Sequence, residues 1–310
     1  MSRYRLLPTP AQEAVLQDHC GHARTRENLA VEQHQQWHRG RTSAPGYLQQ
    51  CRQLTAARAE HPWLAAGSQT VQQQALRDFS RAMAAFFDPA NPARRPSWRK
   101  AGRDEGFRVV RLKLGQVRRL SRRTGEVRVP KVGWVRFRWS RAVPAGLKSY
   151  RVTCDRAGRW HVAFAAIPAP VPAPGNAQVA GIDRGVAVST ALSTGDLLHA
   201  PCLTTRERAR LRRLEHRLAR AKRGSERRGR VRLAIARLRA RETDRRKDWA
   251  EKASTDIARR FDVIRVEDFP VGKMTRSAKA PGRTRAAMSG RRPGLTGGSC
   301  GRGGGCWCGG

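Results

Sequence analysis

The sequence predicts a multidomain protein in which an α+β part precedes an α/β part, and three patterns support this fold class. Helix-forming residues dominate 11–88, whereas basic and apolar residues alternate over much of 104–168. Such alternation is typical of antiparallel strands with one buried face, here arranged as a small β-barrel. After residue 178, two apolar strand candidates flank a long region of helical leucine spacing. Strand, helix and strand in this order are typical of an α/β sheet.

Local signals define the elements of the first part. Tyr4–Leu7 resembles a short strand that ends at a proline pair, and breaks at Pro45-Gly46 and Pro62 divide 11–88 into three or four helices. Turns at Thr124-Gly125 and Ala157-Gly158 are expected to join the later strands. The aromatic residues of the helical region are expected to fill its core rather than stack on bases. They are Trp37, Trp63, Phe79, Phe86 and Phe87.

The charge balance indicates a polyanionic partner. The chain has 63 Lys and Arg against 24 Asp and Glu, a formal net charge of +39, which is strongly self-repelling without such a partner. Nucleic acid is the predicted partner, and a membrane surface is the alternative. No apolar run reaches the roughly 18 residues of a membrane span, and the N-terminus lacks a signal-peptide core. We therefore expect a cytoplasmic, nucleoid-associated protein without a membrane partner. The oligomeric state is left open.

Three stretches concentrate positive charge where phosphates could bind. They are a Pro-rich connector at 89–103, the outer face of the predicted barrel, and a basic helical hairpin at 204–260 that turns near Gly224. The candidate residues are Arg94, Arg95, Arg99 and Lys100 in the connector, Arg136 and Arg138 on the barrel, and Arg212, Arg213, Arg217, Arg220, Arg227 and Arg228 in the hairpin. A passive solvated surface is the alternative, but the hairpin has too few acids to pair its arginines at i,i+4.

Two acids end the strand candidates on either side of the hairpin. Asp183 follows a short apolar run, and Glu267 and Asp268 close the run that precedes Pro270. With a helical crossover between the strands, their ends should lie together. Neighbouring carboxylates repel unless they share cations, and a pair of Mg²⁺ ions can drive phosphodiester hydrolysis. Alternatively, Asp183 caps a turn and the two acids are unrelated.

Several motifs occur in an order that resembles a known family. They are Y-R-L-L-P-T-P-A-Q-E at 4–13, the segment 119–140 that includes R-V-P-K-V-G-W-V-R-F-R-W-S, G-I-D-R-G at 181–185, K-R-G-S-E-R at 222–227, D-R-R-K-D-W-A-E-K at 244–252 and F-D-V-I-R-V-E-D-F-P-V-G-K-M at 261–274. Together they span about residues 3–280 and resemble the TnpB or OrfB-type proteins of bacterial insertion sequences. G-I-D-x-G alone would be a weak signal, whereas the ordered set is specific.

The resemblance implies an RNA-guided, Mg²⁺-dependent DNA endonuclease related to type V CRISPR effectors, with guide RNA and double-stranded target DNA as partners. It implies a β-barrel wedge domain (1–10 and 104–168) interrupted by a helical recognition domain (11–88). A RuvC-like nuclease domain with an RNase H fold (178–279) would follow the Pro-Ala linker at 169–177. Asp183 matches the family's first catalytic acid and Glu267 its second, and both would be Mg²⁺ ligands.

The resemblance ends near residue 279, before a Gly-rich tail at 280–310. No Asp or Glu follows Asp268, and Cys300, Cys306 and Cys308 lack a nearby fourth ligand for zinc. We therefore expect the family's zinc ribbon and third catalytic Asp to be missing, through truncation or a frameshift, and cleavage to be impaired. A non-catalytic nucleic-acid-binding protein is the alternative function, and an RNA-binding protein of ribosomal type is a third.

Overall fold

The computed structural model describes residues 2–36, 40, 43–102, 105–113, 115–167, 170–185 and 187–267. The chain forms two compact units that divide between residues 169 and 170. The described residues contain six helices and eleven strands, which confirms a mixed α and β protein with a large antiparallel sheet. The tail cysteines Cys300, Cys306 and Cys308 lie outside the described residues, as do Trp37 and Asp268.

The first unit is a seven-stranded antiparallel sheet with four helices between its first two strands. Its elements are β1 (Ser2–Leu7), α1 (Pro10–Gln35), α2 (Tyr47–Glu60), α3 (Pro62–Ala66), α4 (Gln69–Phe87), β2 (Glu105–Val110), β3 (Val117–Arg119), β4 (Thr124–Val129), β5 (Gly133–Arg138), β6 (Ser149–Cys154) and β7 (Trp160–Ala165). The strand order is β2-β6-β7-β1-β5-β4-β3. The N-terminal strand is therefore central, paired with β7 through its first half and with β5 through its second.

The sheet curls around its own core. The Tyr150 hydroxyl on β6 donates to the carbonyl of Arg128 on β4 at 2.8 Å, although three strands separate β6 from β4 in the sheet. Strands lie about 4.8 Å apart within a sheet, so only strong curvature brings these two together. Tyr4, Phe137 and Phe164 lie in this core, and their rings contact one another edge-on or tilted.

Helices α1 and α4 share their cores with the sheet and with α2. α1 begins at a capping box in which Thr9 and Gln12 bond each other's backbone N–H. Leu16 and Cys20 on its first half belong to the sheet core, and Val31 on its second half joins the helical core with Leu54 of α2. The helical segment is therefore packed onto the strands instead of forming an isolated bundle.

The aromatic residues of the helical segment only partly follow the prediction. Phe79 is buried and contacts the ring of His34, as expected for core. Trp63 is 52% exposed and Phe87 is 72% exposed, and Phe86 is also exposed. The expectation of core packing was therefore wrong for these three residues. Trp63 lies in the short helix α3, and Phe86 and Phe87 are the last residues of α4. Their positions at short or terminal elements leave fewer neighbours to cover them.

One predicted turn is a strand. Thr124-Gly125 begins β4 instead of joining two strands, and β3, absent from the sequence-based prediction, pairs with β4 through Arg119 and Gly125. A Cβ on Gly125 would clash with the ring of Trp139. Gly125 is therefore explained by an aromatic ring packed on the strand, a contact that local turn statistics do not contain.

The second unit combines a four-stranded sheet with a helical hairpin. Its elements are β8 (Val179–Asp183), β9 (Thr190–Leu192), β10 (Leu197–Leu198), α5 (Thr205–Arg220), α6 (Glu226–Arg260) and β11 (Val263–Val266). The order is β10-β9-β8-β11, with β11 parallel to β8 and the other pairs antiparallel. β8, β9 and β10 form an antiparallel meander, in which Gly185 N–H donates to the Val188 carbonyl in the turn before β9.

Leucine spacing explains the hairpin. Leu214 of α5 packs with Val231, Ile235 and Leu238 of α6, and Gly224 between the helices has φ +83°, a conformation that favours glycine. α6 is 35 residues long, about 52 Å at the helical rise. None of the helices in the described ranges combines the length and apolar character that a membrane crossing needs.

Candidate functional site

The structure brings the two predicted acids to one edge of the second unit's sheet. β8 and β11 are parallel, and Val266 is the partner of Ile182. Asp183 is the next residue on β8, and Glu267 is the residue immediately after β11. The register therefore sets Asp183 beside Glu267 on neighbouring strands, about 4.8 Å apart in the sheet plane. Both acids are exposed.

The opposite end of the two strands is held by hydrogen bonds to Asp262. Its carboxylate accepts from the backbone N–H groups of Gly175, at 2.7 Å, and Ala177. The Gln178 carbonyl accepts from the N–H of Asp262 at 3.0 Å and of Val263 at 3.2 Å. Since both strands start from this bonded corner, the corner fixes the register that aligns their acidic ends.

Backbone bonds to Ser193 precede Asp183 in β8, and a turn at a glycine follows it. Gly181 N–H donates to the Ser193 hydroxyl at 3.0 Å, and Ser193 N–H donates back to the Gly181 carbonyl at 2.9 Å. A Cβ on Gly185 would approach the Val188 carbonyl oxygen to 2.9 Å, too close for another residue without a shift. Close packing therefore explains glycine at 185, whereas the bonds at Gly181 use backbone atoms that other residues also have.

Carboxylate oxygens at this edge fit the preference of Mg²⁺ for hard oxygen ligands, which often come from one or two carboxylates plus substrate phosphates. Among the described residues no group of three or more His, Cys, Asp or Glu side chains could hold a metal ion. Asp183 and Glu267 are therefore the two ligands that this part of the chain offers at the edge. The neighbouring Asp268 lies outside the described residues.

The predicted phosphate-binding arginines of the hairpin fall into two groups. Five of the six are exposed: Arg212, Arg213, Arg217, Arg220 and Arg227. Arg228 is half-buried and donates to the carbonyls of Leu218, at 2.7 Å, and Ala221, at 2.9 Å. It therefore satisfies carbonyls at the end of α5.

Acids of the hairpin form ion pairs both between its two helices and within α6. Glu207 pairs with Arg245 at 2.7 Å and Glu215 with Arg239 at 2.9 Å, both across the hairpin. Within α6, i,i+4 pairs also form, such as Lys252 with Asp248. The hairpin has 8 acids for 19 arginines, so these pairs do not contradict the expectation that acids are too few to pair its arginines at i,i+4. The hydrogen bonds from Arg245 lower the pKa of Glu207 to about 2.

The connector residues also divide. Arg94 and Lys100 are exposed. Arg95 donates to the His34 carbonyl at 3.1 Å, and Arg99 pairs with Glu27 at 2.9 Å while also donating to the Gly106 carbonyl. Arg99 thus ties the connector to α1 and β2.

On the outer face of the sheet, Arg136 and Arg138 are both exposed. Arg136 lies 3.6 Å from the largely buried carboxylate of Glu126, which also binds Arg118 at 2.9 Å. The Arg118 guanidinium lies 4.1 Å from the centre of the Trp134 ring. This face is an arginine-rich ladder across β3, β4 and β5 with one acid at its centre.

Sequence reasoning missed a basic cavity of about 640 Å³ in the first unit. α4, β2 and β6 contribute to its lining, which includes Tyr47, Gln73, Gln74, Arg77, Arg81, Arg108, Arg111 and Lys148. Arg77 lies over the Tyr47 ring at 5.2 Å, and Arg108 is held by Asp78 and Gln74. The only sequence signal was Arg77 and Arg81 at i,i+4 on one helix face.

Comparisons with known proteins identify the family. Residues 161–278 match the IS605 OrfB family model, described as "Probable transposase". The chain is 32% identical over 282 residues to a Streptomyces pristinaespiralis protein named "Putative RNA-guided DNA endonuclease", covering 89% of this chain and 68% of the relative. The chain therefore belongs to the IS605 OrfB family. An Escherichia coli K12 relative named "Putative RNA-guided DNA endonuclease InsQ" is 27% identical over 295 residues, covering 93% of this chain and 71% of the relative.

Membership confirms the resemblance predicted from the ordered motifs and places the chain among transposon-encoded proteins. Two of its relatives carry names that describe RNA-guided cleavage of DNA. The matched model region begins in β7 and includes Asp183, the hairpin and Glu267. The candidate acids therefore lie within the part of the chain that the family model recognises.

Proposed function

We propose that the chain binds nucleic acid and takes part in RNA-guided DNA cleavage. Asp183 and Glu267 would be its metal-binding acids. The observation that carries this proposal is the parallel pairing of β8 with β11, which aligns the two carboxylates at one sheet edge. The names of two relatives, which describe RNA-guided DNA endonucleases, support guide RNA and DNA as partners, and we propose that the target DNA is double-stranded. A net charge of +39 supports extensive phosphate contact.

The finer architecture is also part of the proposal. The Tyr150 to Arg128 hydrogen bond supports a barrel-like wedge domain in the first unit, because it joins strands that are not neighbours. The strand order β10-β9-β8-β11, with one parallel edge strand, supports a RuvC-like nuclease of the RNase H fold. We propose domain limits of 1–10 and 104–168 for the wedge, 11–88 for the helical domain and 178–279 for the nuclease.

In this proposal Asp183 and Glu267 would hold Mg²⁺ through their carboxylate oxygens. Bound Mg²⁺ supplies Lewis-acid stabilisation of the phosphate and an activated water. The exposed arginines of α5 and α6 would bind the phosphate backbone of the nucleic acid. They would direct it toward the sheet edge that carries Asp183 and Glu267. Arg136 and Arg138 present guanidinium groups to phosphates from the outer face of β5.

The basic cavity fits the same function. Its arginines and Lys148 can neutralise phosphates, while Gln73 and Gln74 can donate and accept at base edges or sugars. Arg77→Ala should weaken DNA binding uniformly across sequences and reduce the salt slope by about one unit if the side chain contacts a phosphate. Gln73→Ala should change sequence preference if it contacts a base edge.

Cleavage by the purified chain tests the function. RNA that co-purifies with the full chain would be sequenced, and plasmid DNA carrying the complementary sequence would be incubated with that complex and Mg²⁺. We expect Asp183→Ala and Glu267→Gln to remove Mg²⁺-dependent cleavage while leaving binding intact. Glu226→Gln, which removes an exposed acid of the hairpin, serves as the control. Cleavage that persists in both active-site variants contradicts the assignment.

A non-catalytic nucleic-acid-binding protein is the second candidate. Within the described residues, no group of three or more His, Cys, Asp or Glu side chains is placed to hold a metal ion. Impaired cleavage therefore stays a prediction for this 310-residue chain. Tight binding with a steep salt dependence and no cleavage at any Mg²⁺ concentration would favour this candidate.

A further inference from the structure

The connector between α4 and β2 presents one aromatic ring among basic residues. Trp98 lies in the sequence R-R-P-S-W-R-K at 94–100 and is 48% exposed. Single exposed aromatic residues are common on protein surfaces and need no special role. A role in ligand binding would require that the orientation of this ring is restrained.

Hydrogen bonds attach the connector to α1 on both sides of Trp98. Arg95 donates to the His34 carbonyl, and the backbone of Arg99 exchanges two hydrogen bonds with the Asn28 side chain at 2.8 and 3.0 Å. The α1 residues that make these contacts, His34 and Asn28, are six positions apart, which is about 9 Å along the helix. The connector residues, Arg95 and Arg99, are four positions apart. The connector therefore runs antiparallel to α1 over these residues.

Trp98 itself is fixed by its edge. Its indole N–H donates to the side-chain oxygen of Gln35, the last residue of α1, at 3.2 Å. This bond uses the polar atom of the ring and not its π-faces, and 48% of the residue is exposed. An aromatic ring held by its edge loses little further entropy when a flat partner stacks on it.

Positive charge flanks the ring on both sides. Arg94 and Lys100 are exposed, and an extended chain places them within about 14 Å and 7 Å of Trp98. Aromatic rings combined with basic residues along a chain are the arrangement with which proteins bind single strands. Bases within a duplex are already stacked, so an unpaired base is the partner that such a ring can accept.

We propose that Trp98 is a fixed stacking platform for an unpaired base of a single-stranded nucleic acid, with Arg94 and Lys100 contacting the phosphates on either side. This inference rests on the proposed nucleic-acid-binding function and adds a stacking residue to it. RNA and DNA strands share the required chemistry, so the test includes both.

Binding of short labelled oligonucleotides to the full chain, free of co-purified nucleic acid, tests the proposal. The probes are oligo(dT), oligo(rU), an abasic deoxyribose-phosphate strand of equal charge, and a duplex. Trp98→Ala should weaken binding of a base-bearing strand about 5- to 150-fold, the usual range for one stacked base. It should leave the abasic strand and the duplex unchanged, and a larger loss on oligo(rU) or on oligo(dT) identifies the preferred strand.

Trp63→Ala is the matched control, because Trp63 has similar exposure but lies in E-H-P-W-L-A-A, a stretch that contains no Arg or Lys. It should leave all four affinities unchanged. Trp98→Phe should retain most of the binding because it keeps a ring, and Gln35→Ala should cause a smaller loss than Trp98→Ala because it removes only the restraint. Circular dichroism and thermal unfolding would establish that each variant is folded.

Two results overturn the inference. One is a wild-type chain that binds strands while Trp98→Ala changes no affinity, which leaves the proposed function intact. The other is an equal loss on abasic and base-bearing strands, which indicates a structural or electrostatic effect. A wild-type chain that binds none of the probes contradicts both the inference and the proposed function.

Discussion

In the first unit, seven strands and two helices enclose a cluster of 18 buried residues, whereas the sheet of the second unit is backed by a cluster of four, including Ile257 and Phe261. All four residues of β11 are exposed. The second unit holds its strands through exposed polar contacts, such as Arg260 with Asp196 at 2.7 Å. Burial dominates one unit and hydrogen bonds with ion pairs dominate the other, so mutation, acid and salt should affect them differently.

The largest expected effect is a cavity in the core of the first unit. Phe137→Ala removes a fully buried ring that contacts Tyr4, Phe164 and Trp139, and should lower the free energy of unfolding by about 3–5 kcal/mol. Leu7→Ala, at an exposed position of β1, is the control and should change it by less than about 0.5 kcal/mol. Denaturant unfolding followed by circular dichroism measures both. Equal losses in the two variants would contradict a burial-dominated unit.

Mild acid should weaken the first unit through a buried histidine. Burial, with the charge of Arg3, lowers the pKa of His161 to about 4, while the unfolded value is about 6.5. Between these values the unfolded chain binds the proton and the folded chain does not, so this stabilisation is full above pH 6.5 and lost as the pH falls toward 4. The effect should be roughly 2–3 kcal/mol.

His161→Gln isolates this contribution, because glutamine can still accept from Arg3 but does not titrate. Thermal unfolding between pH 7 and pH 4 should show a weaker acid dependence in this variant than in the wild type. His19 and His22 also have pKa values lowered by burial, so part of the dependence should remain. Identical pH profiles for variant and wild type would show that His161 does not contribute.

In the second unit the corresponding weak point is Asp262. Asp262→Ala removes two hydrogen bonds from backbone N–H groups to a carboxylate and should destabilise the sheet by about 1–2 kcal/mol, since the site is partly exposed. Amide hydrogen exchange in β8 and β11 should then accelerate while exchange in β1 to β7 stays unchanged. Asp262→Asn, which retains one acceptor oxygen, should have a smaller effect. Faster exchange in both units alike would contradict a local role.

The sequence predicted those features that depend on spacing along the chain. Asp183 and Glu267 were expected at one sheet edge because each ends an apolar strand and a helical region separates them. The two helices of the hairpin followed from the leucine spacing around Leu214 and Ile235. These patterns reflect helix and strand periods, which a sequence displays directly.

Features that depend on distant partners were not predictable. Arg99 and Glu27 are 72 residues apart, and nothing local distinguishes Arg99 from the exposed Arg94. Gly125 was expected in a turn because its packing against Trp139 is a tertiary contact. The basic cavity combines residues of α4, β2 and β6 that a linear reading treats separately. A sequence shows how many arginines are present, but tertiary neighbours decide which of them remain available for phosphate.

The smallest expected effect concerns the ion pair across the hairpin. Arg245 lowers the pKa of Glu207 to about 2, below the unfolded value of about 4.3. The folded carboxylate therefore stays ionised where the unfolded one is protonated, so its stabilisation is full above about pH 4.3 and lost as the pH falls toward 2. Glu207→Gln should flatten the pH dependence of hydrogen exchange in α5 within this window. At pH 7 it should lower protection by about the amount that the wild type loses on acidification, which is small because the pair is near solvent and screened. High salt should weaken the wild-type pair but leave the variant unaffected, and a variant that retains the full acid dependence would mean that other carboxylates stabilise the hairpin.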